Sequence, residues 1–244
     1  MDYEIMMNGI VKIGQQAPEF EADTTMGRIS LNDYRGKWVV LFSHPGDFTP
    51  VCTTEMIAFA RASTYFDRLN SCLIGLSVDS NSSHLAWVYD IYCRTGIRIP
   101  FPIIADRNGE IARKYGMISS DISNTETVRN VYIIDEQGRV RLILVYPMNV
   151  GRCIPEILRA LQALQVADSN NGSTPANWVP CEPMIVPMPK TFNELVERNE
   201  QIQKEKNGIN WYLSFKNPKN CNNIEDRSLN SEKTKEIAEK AKTK

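Results

Sequence analysis

Histidine is nearly absent from this chain. Only His44 and His84 occur, and neither combines with cysteine in a zinc-ligand spacing, which argues against a structural metal. No Cys-x-x-Cys is present, so the usual signature of a dithiol oxidoreductase is missing. The six cysteines, at 52, 72, 93, 153, 181 and 221, are too sparse for a disulfide scaffold, and a reducing compartment would keep them as thiols. No run approaches the roughly 18 apolar residues of a membrane span, and the N-terminus lacks the basic and apolar regions of a secretory signal. A cytoplasmic location is expected. Net charge is also missing: 28 Lys and Arg against 29 Asp and Glu give no electrostatic drive toward nucleic acid or an anionic membrane. No Gly-x-Ser-x-Gly occurs, so lipase-type serine chemistry is not inferred.

What is present is one cysteine in a distinctive setting. The strand-like run Lys37-Trp38-Val39-Val40-Leu41-Phe42 leads through a Pro- and Gly-containing turn, His44-Pro45-Gly46-Asp47-Phe48-Thr49-Pro50, to Cys52 at the start of a helical pattern. A helix N-terminus offers unpaired N–H groups and partial positive charge, both of which favour a thiolate. The alternative is a buried cysteine acting as a small hydrophobe. The polar neighbours Thr49, Thr53, Thr54 and Glu55 weigh against it.

The order of elements is that of an α/β protein. Short extended pieces from Ala17 to Gly36 precede the strand at 38–42, and a helix follows from Thr53 to Leu69 with Met56, Phe59, Ala60, Phe66 and Leu69 inward. A strand at 72–78 leads to a helix over 84–94, capped by Ser82-Ser83, with Leu85, Val88, Ile91 and Tyr92 on its inner side. A strand at 102–105, a short helix at 109–115, a hairpin of 128–135 and 140–146, and a helix over 155–164 complete the core pattern. Such alternation implies a sheet with helices on both faces, thioredoxin-like or flavodoxin-like by pattern alone. Asp168 to Pro175 reads as a linker, followed by a proline-rich stretch, a helix over 191–203 and a strand over 210–215. A segment so poor in regular structure is expected to pack on another surface.

The segment Pro45-x-x-x-Thr49-x-x-Cys52, with His44, Glu55, Pro147-Met148 and Gly151-Arg152, resembles the peroxiredoxins, and among them the one-cysteine subfamily common in archaea and bacteria. That resemblance implies a thioredoxin-like core with an extended C-terminal oligomerisation region. The expected divisions are a peroxidase domain at 1–166, a dimerisation region at 167–230 and a charged tail at 231–244. It implies a cofactor-free thiol peroxidase that reduces hydrogen peroxide and organic hydroperoxides through a sulfenic acid at Cys52. The expected partners are a peroxide, a thiol reductant such as thioredoxin or a small thiol, and a second copy of the chain in a homodimer able to close into a decameric ring.

Four residues would carry the chemistry. Cys52 attacks the peroxide; Thr49 accepts from the substrate and hydrogen-bonds the sulfur, with a turn threonine satisfying backbone as the alternative; Pro45 shapes and shields the loop, a role that overlaps with that of a plain turn proline; Arg129 resembles the family's active-site arginine, and a cation in an apolar strand needs an anion such as the thiolate. An exposed strand arginine is the plainer alternative for Arg129. Glu55 and Arg152 resemble the pair that orients the arginine, with a surface ion pair as the alternative. His44 reads equally as a partner of peroxide or oxidised sulfur and as a packed core histidine. Return to the thiol needs another thiol: an external one, or Cys221 of a partner subunit, with Cys181 a more distant candidate. Cys72 and Cys93 read as core residues, and Cys153 as structural.

Overall fold

The computed structural model describes residues 10–219. These fall into two compact units divided between Ile154 and Pro155. Cys221 and the tail at 231–244 lie outside the described residues.

The first unit is built on a seven-stranded sheet of order β2-β1-β5-β4-β3-β6-β7. One of its inner strands is β3 (Trp38–Ser43), in which every residue is buried. It pairs in parallel with β4 (Ser71–Ser77), and β4 in parallel with β5 (Ile103–Ala105). On the other side β6 (Arg129–Ile134) joins antiparallel to β3, and β7 (Val140–Tyr146) antiparallel to β6. The leading hairpin, β1 (Glu21–Thr24) and β2 (Gly27–Ser30), closes the far edge.

Strand alternation sends successive residues of β3 to opposite faces. Val39 and Leu41 join Ile74, Leu76, Tyr132, Ile134 and Tyr115 in one apolar cluster, with Ile111 and Ala112 of the short helix α3 (Glu110–Lys114). On the opposite face Phe42 stacks on Phe59 of α1 (Pro50–Arg68) at 4.1 Å between centroids, and Phe101 meets both rings edge-on. A strand covered on both sides reads as a continuous apolar run, as Trp38 to Phe42 does.

Helix α1 starts at Pro50, whose missing N–H is no loss at a first helical position. Its inner stripe is Cys52, Glu55, Met56, Phe59, Ala62 and Phe66, at the three- and four-residue steps of a helix. Helix α2 (Asn81–Thr95) departs from its sequence pattern. Its cap is Ser80, whose hydroxyl accepts from Ser83 N, and its buried face is His84, Trp87 and Ile91, while Leu85 and Tyr92 are exposed. A polar side chain with buried partners outcompetes leucine for the inner face.

In the second unit α4 (Ile154–Asn170) continues six residues past the expected end at Leu164, so position 166 and the first part of the expected linker are helical. Beyond Asn170 the chain is irregular up to Met184, apart from a single bridge between Ser173 and Ile185. Thr191 caps α5 (Phe192–Glu205) through its hydroxyl, and a small sheet of order β8-β10-β9 comprises β8 (Met184–Ile185), β9 (Gly208–Asn210) and β10 (Leu213–Lys216). Instead of one strand over 210–215, the chain turns at Trp211-Tyr212. A Cβ at Gly208 would lie 2.7 Å from Leu213 O, so the hairpin needs glycine there.

Candidate active site

Three elements of the first unit converge on Cys52. The loop at 44–49 leaves the end of β3 and makes two tight adjustments before α1. Phe48 takes a left-handed φ of 55°, uncommon for a bulky residue and often met at functional loops. Thr49 adopts the extended cap conformation without capping the helix through its side chain. Its hydroxyl donates to Gly46 O at 2.9 Å. The expected hydrogen bond from Thr49 to the sulfur is therefore not made, because the hydroxyl proton is engaged within the loop, and the Oγ1 lone pairs are what Thr49 offers a ligand. Pro45 is buried behind the loop.

Cys52 is the third residue of α1 and is buried. Neither its N–H nor that of Val51 has an acceptor within a helix that starts at Pro50. Across from it, Arg129 opens β6 with its side chain only 3% exposed. Its Nη1 donates to Cys52 Sγ at 3.2 Å and to Glu55 Oε2 at 2.8 Å; Nε and Nη2 donate to Met148 O at 2.9 and 2.6 Å. Four bonds hold the guanidinium, and a fifth N–H, on Nη2, remains.

Glu55 is clamped from the other side by Arg152. The Arg152 backbone N and Nε donate to Glu55 Oε1 at 2.8 Å each, and Nη2 donates to Oε2 at 2.7 Å. Nη1 of Arg152 donates to Ser43 O and Asn130 O, tying β3 and β6 together, and the guanidinium lies over the rings of Phe42 and Phe59. This is a buried network rather than a surface ion pair. Burial alone would raise the Glu55 carboxyl, but the hydrogen bonds and charge of Arg152, with the charge of Arg129, hold it below the ordinary carboxylate range.

The charges of the cluster also surround the sulfur. Two guanidiniums and one carboxylate leave one positive charge uncompensated in a buried cluster, a costly arrangement. Cys52 Sγ accepts from Arg129 beside that unbalanced charge.

His44 follows β3 and is buried. Its Nε2 lies 3.1 Å from Asp47 Oδ1, and Asp47 also contacts His84 Nδ1 at 2.8 Å. Neither Asp47 nor His84 stands out in the sequence. The signal is there in principle: two histidines in the whole chain, one in the signature loop and one on the inner face of α2.

The remaining cysteines are dispersed. Cys93 and Cys153 are exposed and Cys72 is half-buried, so the expected core placement of Cys72 and Cys93 does not hold. The apolar positions of α2 that make Cys93 look internal lie on its outer side. Cys52, Cys72, Cys93 and Cys153 are free, whereas Cys181 is disulfide-bonded, so the expectation that every cysteine stays a thiol does not hold and Cys181 drops out as a resolving candidate. No helix among the described residues is long and apolar enough to cross a membrane.

Comparison with known proteins agrees with this geometry. The sequence matches the AhpC/TSA family over residues 13–143 and the C-terminal domain of 1-Cys peroxiredoxin over residues 163–201. It is 56% identical over 205 residues to peroxiredoxin 2 of Caldanaerobacter subterraneus, covering 84% of this chain and 92% of that one. To the peroxiredoxin of Aquifex aeolicus it is 49% identical over 217 residues, covering 84% and 96%. Among solved structures it resembles a yeast mitochondrial 1-Cys peroxiredoxin, studied for thiol resolution via glutathione/thioredoxin systems, with TM-score 0.73, 38% identity, and 85% and 100% of the chains covered. A cysteine-to-serine mutant of peroxiredoxin 6 from Arenicola marina gives TM-score 0.75 at 32% identity, covering 86% and 99%. The thioredoxin-like sheet, the buried cysteine at a helix start and these relationships together mean that the chain belongs to the AhpC/TSA family of peroxiredoxins and is a thiol-dependent peroxidase.

Proposed function

We propose that Cys52 is the peroxidatic residue, with Thr49, Pro45 and Arg129 as its catalytic partners and Glu55, Arg152 and His44 as the groups that position them. The thiolate attacks the terminal oxygen of R–O–O–H; an S–O bond forms, the O–O bond breaks, and the products are Cys52–SOH and RO⁻. Negative charge moves from sulfur to the leaving oxygen. Groups that follow that charge accelerate the step, and the remaining Nη2–H of Arg129 and the N–H groups at the start of α1 are such groups. Thr49 Oγ1, its proton committed to Gly46 O, accepts from the peroxide O–H and orients it. His44 supplies an acceptor for the peroxide or for the sulfenic acid.

The observation that carries the reading is the 3.2 Å contact of Arg129 with Sγ inside a cluster that a thiolate makes neutral. Arg129→Met is expected to lower the second-order rate of peroxide consumption by roughly 10²- to 10³-fold, the scale for losing a preorganised donor at a developing anion. Stopped-flow oxidation by hydrogen peroxide measures it. A loss under about threefold would remove Arg129 from the mechanism.

Since Cys52 is buried, loop 45–49 and the first turn of α1 must open locally for the sulfenic acid to meet a second thiol. That thiol is external, from thioredoxin or a small thiol, or, once the disulfide at Cys181 is reduced, is Cys221 of a partner subunit. After one equivalent of peroxide, resolution by Cys221 produces a disulfide-linked dimer on a non-reducing gel that vanishes in Cys221→Ser. A parent protein that stays monomeric on the gel assigns the step to the external thiol.

The same reading makes the protein a homodimer. Strand β7 is an open sheet edge with Val145 exposed, and Phe192, Ile209 and Tyr212 of the second unit are exposed apolar residues of the kind a partner covers, in keeping with a dimerisation region at 167–230. The outward Leu85, Tyr89 and Tyr92 of α2 offer a further face on which dimers can associate into a ring. A cytoplasmic location, where thiol reductants are abundant, suits this chemistry.

A further inference from the structure

Asp47 sits between two histidines. Its carboxylate is 2% exposed and both imidazoles are fully buried, with ring centroids 6.0 Å apart. His84 has an acceptor at each end: Asp47 Oδ2 is 2.8 Å from Nδ1, and the Ile104 carbonyl is 3.1 Å from Nε2. A carbonyl oxygen can only accept, so Nε2 carries a proton. Asp47 is held strongly below the ordinary carboxylate range: burial would raise it, but the hydrogen bonds and charges of His44 and His84 prevail. An anionic carboxylate also only accepts, so Nδ1 of His84 carries a proton as well. The Asp47 charge is thereby balanced without water, as a buried carboxylate requires.

The consequence falls on His44. Its Nε2, facing the same Asp47 carboxylate at 3.1 Å, must donate. Its Nδ1 is buried and has no hydrogen-bond partner. Asp47 itself is fixed from a third direction, where its backbone N–H donates to Asp79 Oδ2, and Asp79 in turn receives the Ser77 hydroxyl at the end of β4.

We propose that His84 is a positioning residue for the peroxidase site: protonated on both ring nitrogens, it locks Asp47 as the acceptor for His44 Nε2–H and leaves His44 Nδ1 an unprotonated acceptor at the base of the Cys52 loop. This rests on the reading that His44 accepts from the peroxide or the sulfenic acid. The groups that face His44 are Asp47 from its own loop, His84 from α2 and Arg152 from the segment before α4, while the Trp87 ring at 5.2 Å is neutral. Burial lowers the proton affinity of His44, Asp47 raises it, and the positive charges of His84 and Arg152 lower it again. His84 thus opposes a second proton on the ring whose lone pair the site uses.

The presence of only two histidines makes the test direct. Two-bond ¹H–¹⁵N correlation spectra of the reduced, full-length protein at neutral pH should show one doubly protonated imidazole, which disappears in His84→Gln, and one Nε2–H ring. Two neutral rings, or an Nδ1–H tautomer for His44, would overturn the assignment whether or not His44 takes part in peroxidation. The kinetic arm is the acid limb of the pH profile for stopped-flow oxidation of Cys52, each protein normalised to its own maximum. In His84→Gln, which keeps an amide donor but no charge, the limb moves to higher pH by about one unit. A uniformly slower enzyme with an unshifted limb would reduce His84 to a packing residue. If His84→Gln does not fold, the wild-type spectrum decides alone, its doubly protonated ring identified by its absence of a tautomer pattern.

Discussion

Cys52→Ser should consume no peroxide above the uncatalysed rate when dithiothreitol is the reductant, a loss of at least roughly 10⁴-fold on the scale of nucleophile deletions. The serine hydroxyl occupies nearly the same space, so folding is preserved and the effect is chemical. Serine stays neutral beside Arg129, and an alkoxide formed there would be a far poorer partner for electrophilic oxygen than a polarizable thiolate. The buried cluster would then hold two cations against one carboxylate, which places a secondary effect on stability of about 1 kcal/mol or more. Turnover persisting in the variant would move the reactive group to one of the free thiols Cys72, Cys93 or Cys153, none of which is among the hydrogen-bond partners of Arg129.

Glu55→Gln is expected to give the largest loss of stability of any single change in the site. Glu55 is the carboxylate that joins Arg129 to Arg152, through contacts of 2.8 and 2.7 Å at side chains no more than 3% exposed. An amide can accept from one guanidinium, but its N–H₂ group then faces the other. Removing one partner of a buried pair typically costs about 3–5 kcal/mol, since the remaining charge stays desolvated. Urea denaturation at neutral pH measures the difference between the parent and the variant. The pH dependence has a definite sign. The folded carboxyl titrates below its unfolded value near 4.5, so its contribution is complete above that pH and is lost as the pH falls through the lower, folded value. Parent and variant should therefore converge on acidification. A difference under about 1 kcal/mol at pH 7 would class the network with exposed ion pairs. Because Glu55 also aims Arg129 at the sulfur, the rate with peroxide should fall with stability, by a smaller factor than for Cys52→Ser.

Much of the fold is legible because it follows from local patterns. The apolar run at 38–42 is an inner strand; the three- and four-residue steps from Met56 to Phe66 are the inner stripe of α1; Gly138 ends the β6–β7 turn with a φ of 79°. The departures have a common origin. Hydrophobicity places Leu85 and Tyr92 on the inner face of α2, yet that face is set by His84, whose partners lie at 47 and 104, far along the chain. Cys93 reads as internal by the same rule. Thr49 is expected to reach the sulfur, but its hydroxyl has a nearer acceptor in Gly46 O. The hairpin at Trp211-Tyr212 hides in a run of strand-forming residues, where only Gly208 and Asn210 hint at a turn.

From the order of residues alone came the reactive cysteine, its place at a helix start, the apolar strands and the family resemblance, because each is written in neighbours a few positions apart. The resemblance named Glu55 and Arg152 as partners of Arg129, but only the tertiary structure made them one buried cluster rather than a surface ion pair, and only it set Asp47 between His44 and His84. Charges separated by tens of residues in sequence have no local signature; only when folding removes them from water does their pairing become obligatory.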